Sequence, residues 1–339
     1  MKKYIIYADV LERNKHVKEF IQRTGGEYLG CVDRNPDKWD SAKQIYSPAF
    51  MAEHPDAQIV ITSFDIEGIA KYIRRQGWMN DILVYPYWRY PFFFDVNDDP
   101  KRWGEENKEK LLQIYDTRDR CNLAYIEELI RQRTMEFAPI RLQDVWDYLP
   151  YELYFRDNAL ISHSGEVTFV DCGAYDGDTI ADFHKMFGDR LQKVYAFEPN
   201  AQTYSLLQQN LKVMGLSGRT QTFPCGVADS PRELRFTENK TMSYIDPAGT
   251  TSISVRTMDE SVEEVTGDLY IKMDIEGFEI PALKGAERLI KEHHPYMAIC
   301  TYHKWDDYME IPQTIKNIRD DYDFYIRGGM HSICCAVPR

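Results

Sequence analysis

Asp171-Cys172-Gly173-Ala174, followed by Gly177-Asp178-Thr179, is the stretch of this chain best suited to hold a small molecule. An apolar run over 167–170 leads into it and a helix start follows at 178, so it reads as strand, glycine turn and helix N-terminus. Glycines let backbone approach a ligand closely, and the first helical turn offers unpaired N–H groups. The acid before the turn selects the ligand. It would repel a pyrophosphate but suits a cationic amino group. S-adenosylmethionine carries an ammonium and a sulfonium, whereas NAD carries two phosphates, so the turn reads as a site for S-adenosylmethionine. Asp171, Gly173 and Gly177 are expected around its methionine end, with Ala174 and Thr179 in the same turn.

Other candidates follow further runs of strand type. Glu198, in Phe197-Glu198-Pro199, ends a strand over 193–197, where a carboxylate can accept both ribose hydroxyls. Gly226 to Asp229 follow a strand over 220–224, where the adenine edge would lie. Asp274, Glu276 and Glu279 follow a strand over 269–273. Three carboxylates this close repel one another unless a cation, a hydrogen bond or a proton intervenes. Asp274 is expected to face cofactor and acceptor, and Glu276 to bind an acceptor hydroxyl or a divalent cation. Glu279 is expected to cap or salt-bridge the next helix. A divalent cation is not the favoured reading, since no HxH or paired metal-ligand spacing accompanies these acids. His303 ends a strand over 296–300 at the same edge and is expected to take a proton, with Asp274 or Glu276 stabilising the imidazolium. Arg327 and His331 flank a terminal hairpin, where they hold either an anionic substrate group or the turn.

The elements that position these residues form two alternating runs. Residues 1–90 read as strands over 4–8, 28–32, 58–62 and 81–85 with helices over 14–24 and 65–76, a small parallel Rossmann-like α/β domain. Its first turn lacks GxGxxG, and Asp33 is its nearest ligand cue, which favours a docking or degenerate nucleotide-binding module. Residues 91–165 read as a helical connecting segment, with helices over 108–115 and 122–133 and an aromatic stretch over 151–155. From 166 the rhythm resumes to 339, with helices over 178–187, 201–213, 281–292 and 311–319. It is interrupted by short antiparallel strands near 234–236 and 252–255, and it closes on strands near 324–326 and 332–337.

Val170-Asp171-Cys172-Gly173-Ala174 with Gly177, Phe197-Glu198-Pro199, Lys272-Met273-Asp274-Ile275-Glu276-Gly277-Phe278-Glu279 and Leu283-Lys284-Gly285-Ala286 resemble, in that order, the FkbM family of SAM-dependent methyltransferases. Tyr302-His303-Lys304 with Asp307, then Tyr325-Ile326-Arg327 and His331, are similar to one branch of it. The resemblance covers roughly 166–339. It departs from many SAM enzymes in having Ala174-Tyr175 where they place a third glycine. It implies an α/β fold with the seven-stranded Rossmann sheet of class I methyltransferases, preceded by the smaller parallel domain. It also implies O-methyl transfer to a hydroxyl of a sugar or polyol-type metabolite.

Composition bounds the alternatives. A net charge of −13 over 339 residues argues against a nucleic-acid partner. No apolar run is long enough to span a membrane. Seven scattered cysteines without CxxC imply reduced thiols and a cytoplasmic location. The expected partner is a small-molecule or glycan acceptor, with oligomerisation through 1–165 as a further option. Two rivals remain: a non-catalytic SAM- or nucleotide-binding regulatory protein, and an NAD(P)-dependent oxidoreductase. Asp171 and the missing GxGxxG count against the second.

Overall fold

A computed structural model of the chain describes residues 1–8, 10–63, 65–86, 98–145, 154, 165–237, 244–245, 251–328 and 331–339. The chain divides into two compact units, one of Met1–Glu106 with Leu129–Pro150 and one of Asn107–Glu128 with Tyr151–Arg339. The segment expected to connect two domains, 91–165, thus contributes to both. The stretches 91–94 and 151–155 lie outside the described residues, apart from Tyr154.

The first unit carries β1 (Lys3–Tyr7), α1 (Leu11–Arg23), β2 (Glu27–Val32), β3 (Ile45–Tyr46), β4 (Gln58–Ile61), α2 (Ile66–Arg75) and β5 (Ile82–Val84). Two of the three boundaries between the units fall within α3 (Pro100–Ile114) and α4 (Arg120–Thr134), and β6 (Ile140–Arg141) and α5 (Leu142–Val145) follow. The sheet order is β3-β2-β1-β4-β5-β6, parallel except for β6. β1 is buried along most of its length, as the apolar run Tyr4-Ile5-Ile6-Tyr7 requires of a strand covered on both faces. Beyond β4, Thr62 donates to the carbonyls of Tyr7 and Ala8, and Arg13 donates to the Thr62 carbonyl. Asp33, the ligand cue in the sequence, accepts from the Asn35 amide and from Lys38 and so holds its own loop.

The second unit is built on a seven-stranded sheet. Its elements are β7 (Val167–Cys172), α6 (Asp178–Phe187), β8 (Leu191–Phe197), α7 (Ala201–Val213), β9 (Thr220–Phe223), β10 (Gly226–Val227), β11 (Arg232–Thr237), β12 (Tyr244–Ile245), β13 (Thr251–Arg256) and α8 (Met258–Ser261). β14 (Asp268–Met273), α9 (Glu279–Lys284), α10 (Glu287–His293), β15 (Tyr296–Cys300), α11 (Asp307–Ile318), β16 (Tyr322–Arg327) and β17 (Ile333–Pro338) complete it. The large sheet runs β16-β17-β15-β14-β7-β8-β9. β7, β8, β9, β14 and β15 are mutually parallel, and β17 pairs antiparallel with both β15 and β16. This is the seven-stranded Rossmann-like arrangement of class I methyltransferases. The expected antiparallel insertion is present as the small sheet β10-β13-β11-β12.

One helix departs from expectation. The 281–292 helix is two, α9 and α10, broken at Gly285-Ala286. A Cβ at Gly285 would lie 2.0 Å from the Ala228 carbonyl oxygen. Backbone passes so close there that only glycine fits.

Under the sheet edge, Phe169, Phe183, Phe187 and Tyr270 form one aromatic cluster. Phe169 stacks on Phe183 at 4.2 Å between ring centroids, and Phe183 on Phe187 at 4.4 Å. These rings fix α6 against β7 and β14, and with it the turn between β7 and α6.

Candidate functional site

Site residues gather at the C-terminal edge of β7, β8, β14 and β15, where open α/β sheets bind ligands. The β7 turn is pinned by backbone: the amides of Gly173 and Ala174 both donate to the Phe197 carbonyl, at 3.0 and 2.9 Å. Gly173 has φ +80°, and a Cβ on it would lie 2.0 Å from the Asp274 carbonyl oxygen. Gly177 has φ +89° and caps the N-terminus of α6. Ala174 is buried, Tyr175 is exposed, and the Thr179 amide donates to the Asp178 carboxylate.

Asp171 does not present its charge to the turn surface, as the sequence reading expects. It is fully buried, and the cation its carboxylate meets is Lys272 of β14, 3.1 Å away and 3% exposed. Burial pushes the Asp171 carboxyl up to about 6 against the pull of Lys272. Burial also works against the Lys272 ammonium, but Asp171 and Asp274 outweigh it and keep the ammonium charged. Lys272 in turn donates to the Gly173 carbonyl at 2.6 Å. The pair therefore supports the glycine turn from beneath.

Glu198 lies where expected, directly after β8, and its carboxylate ties two loops together. One oxygen accepts from the Tyr175 amide at 3.0 Å, and the other from the Asn200 amide and the Thr203 hydroxyl. Burial raises its carboxyl despite these three donors. An ionised carboxylate offers about four acceptor positions, so capacity for a further donor remains. Gly226 lies in β10, paired with Val255 of the small sheet.

Across the β7 turn, Asp274, Glu276, Glu279 and His303 form one cluster. Tyr302 and Tyr154 donate to the two oxygens of Asp274, at 2.8 and 2.9 Å. Burial would raise that carboxyl, but Lys272, His303 and the two hydroxyls overcome it and hold it at about 2. Nδ1 of His303 lies 3.0 Å from Glu279 Oε1, and Nε2 lies 3.5 Å from both Asp274 and Glu276. Burial disfavours the imidazolium, yet Glu279, Asp274 and Glu276 outweigh it and raise His303 to about 9. Glu276 stands at φ +57°, a left-handed conformation unusual for a side-chain-bearing residue. Lys304 donates to the Gly277 carbonyl and ties this turn to the loop after β15.

Residues 171–324 match the family described as Methyltransferase FkbM domain. That stretch is an FkbM methyltransferase domain. Among solved structures, methyltransferase FkbM from Methylobacillus flagellatus KT aligns with a TM-score of 0.65 and 22% identity, covering 99% of this chain and 89% of that one. A putative rRNA-methylase from Clostridium thermocellum aligns at 0.36 and 12% identity, covering 54% and 92%. Precorrin-6y C5,15-methyltransferase from Geobacter metallireducens GS-15 aligns at 0.36 and 9% identity, covering 56% and 92%. No curated protein sequence matches the chain significantly. The family makes methyl transfer the chemistry of this domain.

Within the FkbM domain, several partners of the site were not singled out in the sequence. Lys272 had a signal: a lysine between Ile271 and Met273 in a buried strand needs a buried anion. Tyr302 adjoins His303 in the sequence, and Asp307 belongs to the family-like stretch that follows. Asp307 accepts from the Lys304 amide at 2.8 Å, and burial pushes its carboxyl up to about 7. Glu279, expected as a cap, instead faces His303 and accepts from the Ile275 amide. Glu279, His303 and Asp307 offer ligand atoms within 4.8 Å of one another, the one group among the described residues spaced to hold a metal ion. Arg327 is absorbed elsewhere, donating to Asn122 and pairing with Asp119 at 2.9 Å. Among the described residues, no helix is long and apolar enough to cross a membrane. All seven cysteines are free thiols.

Proposed function

We propose that the FkbM domain methylates a hydroxyl of a sugar or polyol-type metabolite, with S-adenosylmethionine as methyl donor. One observation carries the reading: the glycine turn after β7 and the acid–histidine cluster after β14 and β15 share a sheet edge, with the Gly173 backbone against that of Asp274. The turn suits the cofactor. Three residues in it, Gly173, Tyr175 and Gly177, have positive φ, and Glu198 locks the loop while keeping acceptor capacity. Gly173, Ala174, Gly177 and Thr179 would line the methionine end, Glu198 the ribose and Gly226 the adenine side, with Asp171 acting through Lys272. When bound, S-adenosylmethionine supplies an electrophilic methyl group on a sulfonium. The protein then has to align the acceptor oxygen and receive its proton. Asp274, Glu276 and His303 are the residues placed for that work.

The test is incubation with methyl-labelled S-adenosylmethionine and a panel of sugars and polyols, read by mass spectrometry. Label on an acceptor oxygen supports the reading. Cofactor binding without label in any hydroxyl compound, or label on nitrogen or carbon, overturns it.

A further inference from the structure

His303 was the natural choice for proton acceptor in the sequence. The geometry around it points elsewhere. Its side chain is 0% exposed, so an acceptor hydroxyl has no direct approach to either ring nitrogen. Both nitrogens face carboxylates: Nδ1 faces Glu279, and Nε2 faces Asp274 and Glu276. An ionised carboxylate only accepts hydrogen bonds, and a neutral imidazole has one N–H to give. A neutral ring would set a bare lone pair against a carboxylate, whereas an imidazolium satisfies both sides.

Of the acids at this cluster, Glu279 and Asp307 are buried. Asp274 is 26% exposed and already accepts two tyrosine hydroxyls. Glu276 is 33% exposed; its Oε2 is buried and faces His303 Nε2 at 3.5 Å, so the carboxylate is held from within while part of the side chain reaches solvent. Its left-handed backbone is a conformation that persists only where the surroundings enforce it, and such outliers cluster at functional sites.

We propose that His303 is a permanently protonated strut, fixed from behind by Glu279, and that Glu276 is the group that takes the proton of the acceptor hydroxyl. This rests on the methyltransferase reading given above. Glu276 is then the catalytic residue, and His303 and Glu279 are positioning residues. In the step itself, the hydroxyl proton passes to the Glu276 carboxylate while an oxygen lone pair forms the new bond to the methyl carbon. The carbon–sulfur pair remains on sulfur, and the resulting carboxylic acid releases its proton to water. Electrostatics agree with this division. Burial pushes Glu276 up to about 7, the right range for a base near neutrality, with His303 pulling down and Asp274 and Glu279 pushing up. Asp307 on α11 and His331 on the terminal hairpin are further titratable groups beside His303; burial raises the first and lowers the second.

Two readouts on the full chain test the proposal without an acceptor. In nitrogen-15 NMR of the histidine rings, assigned with His303→Gln, His303 should keep both N–H groups up to pH 8, and Glu279→Gln should lower its titration point. In difference infrared spectroscopy, protonated carboxyl absorption should disappear as pH rises through about 7, and Glu276→Gln should remove a component of it that Asp307→Asn leaves in place. A neutral His303 tautomer at pH 7, or no such component, overturns the proposal even if methyl transfer is confirmed. With an acceptor in hand, Glu276→Gln should bind cofactor normally and lose roughly 10²–10⁴ in kcat together with the acidic limb of the pH profile. Unchanged turnover would overturn the role of Glu276 and leave the methyltransferase reading intact. Absence of any methyl transfer beside both expected spectra would fail that reading and leave the protonation assignment standing. Circular dichroism verifies that each variant folds.

Discussion

Lys272→Met keeps the side-chain length and removes the charge that faces Asp171 across 3.1 Å in a fully buried pair. Breaking a buried pair costs about 3–5 kcal/mol, because the charge left behind has no partner. Asp171 can escape by taking a proton, and keeping a carboxyl neutral at pH 7 costs about 4 kcal/mol against an unfolded value of about 3.9. That sets a ceiling of the same size. The sign with pH follows from the raised Asp171 carboxyl, at about 6 in the folded protein. A carboxyl raised on folding gives its full contribution below its unfolded value and loses it as pH rises through its folded value. Without Lys272 the folded value climbs further, so the loss continues past pH 6. The variant should therefore fall behind wild type by up to about 1.4 kcal/mol per pH unit above 6, and the gap should narrow toward pH 5. Urea unfolding at pH 5, 6, 7 and 8, followed by near-UV circular dichroism, measures this. Lys272→Met/Asp171→Asn should recover most of the loss by removing the stranded anion. A gap below about 1 kcal/mol at pH 8, or one that does not change with pH, would refute the reasoning.

Gly173→Ala should abolish cofactor binding and lower the melting temperature, since its Cβ would meet the Asp274 carbonyl oxygen at 2.0 Å in a backbone with φ +80°; calorimetric titration and a thermal melt measure both. Tyr302→Phe removes one of the two hydroxyls that hold Asp274 at about 2, a contribution of about 1.5–3 kcal/mol for a hydrogen bond to a charge. Stability from a depressed carboxyl is present above its unfolded value and lost as pH falls through the folded one, so acid unfolding of this variant should begin at higher pH. Gly285→Ala should destabilise the second unit, as its Cβ would meet the Ala228 carbonyl oxygen at 2.0 Å, and urea titration should show an earlier transition.

Much of the second unit was legible because its parallel strands are buried on both faces and read as apolar runs between turn residues. The glycine turn, Glu198 and the Asp274 cluster fell at strand ends, where those runs stop. Sequence could not show what faces a charge across strands. Asp171 looked like a ligand group because the lysine that takes its charge lies 101 positions later, on β14. Glu279 looked like a helix cap because its distance from His303 is set by the pairing of β14 with β15. Tyr154 lies far from Asp274 in the chain, and nothing local announces their hydrogen bond. In the first unit, β3 and β6 are two residues each, too short to carry a period-two pattern.

The central claim, that the turn after β7 holds S-adenosylmethionine, is tested most directly by calorimetric titration of the full chain with that cofactor beside Glu198→Ala. One-site binding by the wild type, weakened about tenfold or more in the variant through loss of the ribose acceptor and of the Tyr175 anchor, is the predicted result. No binding by folded wild-type protein, or equal affinity in the folded variant, would contradict it.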